Sequence, residues 1–209
     1  MEIYSTEEQQ VEAIKSFWAK YGNAAIGGVI IGLASIYGFN AYQDSQLETQ
    51  EANSNAYVAA SESNEASKLA SYVESNKDSG YATLAALKLA KIYVEQDDLA
   101  QAKTQLKWVA ANAADSSLVD LANLRLARIL VSEANLDEAL SLVQVSKTEA
   151  FTAQFAELVG DIQLAKEDSS AARIAYQKAA DNGGLTSNPG LKMKLDNLAV
   201  DNGIVAVLP

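Results

Sequence analysis

The 209-residue chain carries 16 Lys and Arg against 27 Asp and Glu, a net charge of −11, and it contains neither Cys nor His. An acid excess of that size repels a phosphate backbone, which argues against nucleic acid as a partner. Without thiol or imidazole there is no thiol nucleophile, no zinc site with the usual ligands, no haem held by His and no triad or dyad that needs one.

Residues 1–20, "MEIYSTEEQQVEAIKSFWAK", form an acidic head with four Glu and two Lys. They are followed by 23 consecutive uncharged residues, 21–43, between Lys20 and Asp44. As a helix this run reaches about 34 Å, enough to cross a hydrocarbon core of about 30 Å. Trp18, Tyr21, Tyr37 and Tyr42 stand near its ends, where amphipathic rings suit the two bilayer interfaces. A buried core helix rarely runs so long without a charge. A cleavable signal needs a positive leading region and a small-x-small cleavage site, and neither is present. The run therefore reads as an uncleaved transmembrane anchor.

Its orientation follows from Lys15 and Lys20 before the span and the lack of any Lys or Arg after it until Lys68. That bias keeps the head cytoplasmic and sends the rest across, into the periplasm of a Gram-negative cell. Within the span Ala24, Gly28 and Gly32 recur every fourth residue, the small-xxx-small pattern that lets two helix backbones approach. The stripe is a candidate partner-binding face. The plainer account is that Gly is common in membrane helices.

Residues 44–79 read as a helical connector or cap, split around Ser61 to Asn64. From 80 to 209 the chain repeats itself. "LKLAKIYVEQDDLAQAKTQL" from Leu87 lies over "LRLARILVSEANLDEALSLV" from Leu124, and "LVGDIQLAKEDSSAARIAYQKA" from Leu158 supplies a third unit. Ala90, Ala127 and Gly160 are then 37 and 33 residues apart, bracketing the roughly 34-residue period of tetratricopeptide repeats. A small residue in the first helix and an Ala about 12 residues later let each pair close up, while large residues fill between pairs. The polar breaks at Glu95, Glu133 and Lys166 supply turns. "DNGGLTSNPG" reads as a loop, with Asn188 and Pro189 opening a last helix that covers the end of the stack. The fold class is all-α: a single N-terminal transmembrane helix followed by a tetratricopeptide-like helical repeat domain.

Little in the chain supports catalysis. Asp97 with Asp98 and Glu167 with Asp168 lie at the predicted turns, where helix capping explains them. Binding is the better expectation. Counting from the small residues puts Lys91, Arg128 and Asp161 at equivalent positions on the concave face, where Lys91 and Arg128 suit a carboxylate or a polypeptide backbone. The plainer account is solvated charge. No cofactor is expected.

The head, the Gly-rich span and the repeats together resemble the YfgM family of Gram-negative inner-membrane proteins, most specifically in residues 1–22 and in "NLRLARI"; the closing "DNGIVAVLP" departs from the family pattern. The resemblance implies an ancillary subunit of the SecYEG translocon, paired with the membrane-anchored chaperone PpiD and assisting exported unfolded proteins in the periplasm. It also implies an alternative, a negative regulator acting through the cytoplasmic head on a response regulator of the Rcs stress system.

Overall fold

The computed structural model describes residues 7–201, the side chains of Glu8 and of residues 199–201 excepted. Met1–Thr6 and the closing residues 202–209, on which part of the expected head and the C-terminal extension fall, lie outside the described residues. The chain divides into two units between Ala52 and Asn53.

Through the first unit runs most of α1 (Glu7–Glu62). Over the span the large apolar side chains face outward: Val29, Ile30, Ile31, Ile36 and Phe39 are all exposed. An 18-residue window of this helix has a mean hydropathy of 1.6 and none of it is buried, so it is long and apolar enough to cross a membrane. Helix suits a span because it satisfies its own backbone. Ser35 does the same with its hydroxyl, which donates to the Ile31 carbonyl at 2.8 Å. Lys20 lies over the Tyr21 ring, 5.2 Å from its centroid, and the Phe17 and Tyr21 rings are 5.2 Å apart.

The second unit begins with the end of α1 and continues through α2 (Ala66–Ser75), α3 (Gly80–Glu95), α4 (Leu99–Asn112), α5 (Ser116–Ser132), α6 (Leu136–Val143), a 3-10 turn at Glu149–Phe151, α7 (Thr152–Ala165), α8 (Ser169–Asp181), α9 (Gly184–Ser187) and α10 (Gly190–Asp201). Consecutive helices pack on one another, α3 on α4, α5 on α6 and α7 on α8, with α4 bridging α3 to α5 and α10 covering α8. This is an all-helical repeat domain of the tetratricopeptide type, preceded by one long apolar helix.

Each pair closes on the same turn. Asp97, Ala134 and Glu167 have φ of 61°, 61° and 63°, the left-handed conformation that ends a helix. In each case the next residue's N–H reaches back five residues, from Asp98 to Tyr93, from Asn135 to Leu130 and from Asp168 to Gln163, at 2.8–2.9 Å. Asp98 and Asp168 then accept from the backbone N–H of Gln101 and Ala171, at 3.1 and 2.8 Å, and so cap the helix that follows. The acidic pairs of the sequence are turn and cap.

Small residues set the approach of the paired helices. Ala90 and Ala102 in the first pair and Ala127 and Ala139 in the second are buried, with Leu106 and Val143 filling the space one turn further on. The third pair distributes the same volume differently. Gly160 takes the place of the Ala, and Tyr176, fully buried, that of Leu106 and Val143. A Cβ on Gly160 would sit 2.3 Å from the Tyr176 ring. Only Gly leaves room for that ring.

The second pair is cut short. α6 has 8 residues where α4 has 14 and α8 has 13. The chain leaves it through a loop pinned by Asp120 of α5, whose buried carboxylate accepts from the backbone N–H of Lys147 at 3.0 Å, that of Thr148 at 2.9 Å and the Thr148 hydroxyl at 2.8 Å. The segment expected to be a plain loop after α8 holds the single helical turn α9. Gly183, at φ 84°, reverses the chain into it.

Candidate functional site

On the first helix of each pair, the residue after the small one turns away from the partner helix. Lys91 and Arg128 are there, both exposed. Among the described residues Lys91 pairs only with Glu95, at 3.5 Å and one turn along its own helix, a weak pairing in water. Asp161 occupies the equivalent place on α7 but is engaged: it accepts from the Tyr176 hydroxyl at 2.7 Å and from the Lys194 ammonium at 2.6 Å.

Asp161 belongs to a polar lock that fastens α10. Lys194 also donates to Glu157 at 2.7 Å, and the Asn188 amide donates to the same carboxylate at 2.7 Å. Burial pushes Glu157 up, but the hydrogen bonds from Lys194 and Asn188 and the charges of Lys194 and Arg128 outweigh it and hold the carboxyl below its ordinary value. Burial likewise pulls Lys194 down, and its two carboxylate partners override that and raise it. Tyr176 is raised by burial first and then by its bond to Asp161.

Lys91 and Arg128 do come together across a cleft of about 350 Å³ between α3 and α5. Arg125, one turn before Arg128, shares it, and Ala90, Val94, Leu106 and Ile129 supply its apolar lining. Leu106 reaches it from α4, which separates α3 from α5 and so keeps the cleft open. Sequence reasoning missed Arg125, although its spacing of three from Arg128 in "NLRLARI" puts both on one face. A second hollow, of about 430 Å³, lies over the shortened α6, between Leu140, Val145, Phe155 and Lys178.

The span offers a different kind of surface. Ala24, Gly28 and Gly32 are exposed along one side of α1, and a Cβ on Gly28 or Gly32 would meet nothing within 4 Å. Another helix can approach there closely. Among the described residues no group of three or more Asp or Glu is placed to hold a metal ion. The chemistry on offer is recognition by charge and shape.

Comparison with known proteins agrees with this architecture. Residues 15–200 match the model of the tetratricopeptide repeat-like domain family. The chain is 34% identical over 207 residues to a protein of Escherichia coli named ancillary SecYEG translocon subunit, covering 96% of this chain and 100% of that one. Proteins of the same name from Haemophilus influenzae and Aggregatibacter actinomycetemcomitans are 31% and 32% identical over 198 residues, 92% of this chain and 97% of each relative. No solved structure matches.

Proposed function

We propose, from the premise that the chain belongs to the family of ancillary SecYEG translocon subunits, that it is a non-enzymatic inner-membrane scaffold beside the protein-conducting channel. The observation that carries this reading is likeness to proteins of that name over nearly the whole of both chains, so span and repeats are inherited together rather than one module alone.

The division of labour follows the two units. The head of 1–20 stays in the cytoplasm, the helix over 21–43 anchors the chain through its Ala24, Gly28 and Gly32 side, and the repeats work in the periplasm. Lys15 and Lys20 against the Lys- and Arg-free stretch after the span support that orientation. In the repeats, Lys91 and Arg128 meet a partner polypeptide, and Asp161 holds the last helix against α7. The partner is a PpiD-like membrane-anchored chaperone, and the pair assists exported unfolded proteins at the channel exit. Anchoring turns weak contacts into frequent ones by raising effective concentration.

The test is site-specific photocrosslinking in living cells, with probes at Gly28, Lys91 and Arg128. Adducts to the channel from Gly28 and to a chaperone from the repeats are expected. Adducts only to a second copy, or to an unrelated envelope protein, would overturn the assignment.

A further inference from the structure

Resting on the reading of the repeats as a partner-binding surface, we infer that the α3–α5 cleft takes a short extended segment of partner polypeptide that carries a carboxylate next to an aliphatic side chain. Acids outnumber bases in this chain, 27 to 16, and most lysines of the second unit are paired: Lys68, Lys77, Lys103, Lys107, Lys166 and Lys194 each hold a carboxylate within 3.2 Å. Arg125 and Arg128 have no carboxylate within ion-pair distance among the described residues. Glu157 feels the charge of Arg128 without touching it.

These two guanidiniums stand one helical turn apart at the lip of one cleft, with Lys91 on the opposite wall and Ala90, Leu106 and Ile129 beneath. Leu106, Ala90 and Ile129 are at most 8% exposed and belong to the core, so the floor is fixed by packing rather than by the ligand. Guanidinium is a planar fork matched to carboxylate and tolerates partial desolvation better than ammonium. Cations at the rim over an apolar floor select a ligand with the inverse pattern. A volume of about 350 Å³ holds one or two aliphatic side chains and no folded domain. A basic segment is repelled, and an uncharged aliphatic one leaves the arginines unanswered.

The probe is a short fluorescein-labelled peptide of alternating Glu and Leu, titrated by anisotropy against the full chain in detergent. Its companion carries Gln for every Glu. Binding of the Glu peptide, weakened by added salt and by about tenfold on each of Arg125→Gln and Arg128→Gln, is expected. Both arginines are exposed and Gln keeps helix propensity, so the variants retain the fold, as circular dichroism will show. Lys178→Gln, at the other hollow, leaves binding unchanged. A photocrosslinker at Val94, on the cleft wall, captures the Glu peptide and not the Gln peptide. Equal binding of the two peptides, or binding indifferent to both arginine changes, overturns the inference. Co-purification of the channel with the same variants separates the two claims: channel association retained while Glu-peptide binding is lost supports the cleft, whereas channel association absent from the unmodified chain sinks the broader reading and not the cleft.

Discussion

The second and third helix pairs both depart from the plain arrangement of α3 and α4, and they repair the departure in different ways. In the second, α6 stops early and a carboxylate, Asp120, is buried to hold the exit loop, satisfied by two backbone N–H groups and one hydroxyl, with no cation paired to it among the described residues. In the third, a Gly–Tyr exchange brings a hydroxyl into the core; Asp161 accepts from it, and Lys194 joins Asp161 to Glu157. The first solution joins one side chain mostly to backbone N–H groups of the adjoining loop. The second joins side chains of opposite charge, and it ties the third pair to a helix from further along the chain.

Removing the acceptor tests the first repair most severely. Asp120→Ala takes the acceptor from the amides of Lys147 and Thr148 and from the Thr148 hydroxyl, frees the exit loop from α5 and leaves a hole in the buried face, and it is expected to cost about 3 kcal/mol in urea unfolding of the full chain; a cost near zero would mean that water takes over the bonds of the loop. Next in size, Gly160→Ala drives a methyl into the Tyr176 ring and should cost about 2 kcal/mol. The mirror change Ala127→Gly in the second pair only loosens packing and should cost about 1 kcal/mol. Equal costs would erase the distinction between the pairs.

Acid should set the lock of the third pair apart from the first pair without mutation. Glu157 titrates below its ordinary 4.5 in the folded chain, so its contribution is present above that value and is lost as pH falls through the lower folded one. Lys194 titrates above 10.5, so its share is present below that value and is lost only as pH rises through the higher one. Amide protection of α10 should therefore drop on going from neutral to about pH 3 before that of α3 does; simultaneous loss would deny the lock its role. The smallest effect expected is a gain. Ala134 sits at φ 61°, and Ala134→Gly should stabilise the turn by about 0.5 kcal/mol, read as a rise in the unfolding midpoint.

The repeats were legible because their spacing is a packing rule: Ala90, Ala127 and Gly160 line up in the sequence, and each is buried against its partner helix. The same alignment puts Gly160 in a small slot, but that its missing Cβ makes room for the Tyr176 ring is seen only in the structure. Asp120 was not legible as a loop anchor. Its partners lie 27 and 28 residues later and are mostly backbone, which no side-chain pattern announces. One signal existed: Asp120 stands four before Leu124 and seven before Ala127, on the buried stripe, where a charge calls for an explanation. Asp161 was placed with Lys91 and Arg128 by register, yet register cannot tell that Lys194, 33 residues on, would occupy it.

Lys194 comes later in the chain than every group it holds. A chain that emerges from its N-terminus completes α3 with α4 and α5 with α6 from neighbouring segments, as low contact order favours. The third pair brings α7 onto α8 just as locally, but its polar lock has to wait. Until α10 arrives, Glu157 and Asp161 face one another's charge with no ammonium between them, so the last helix made acts as the latch on the order of assembly, and the domain's end closes only once its chain has passed.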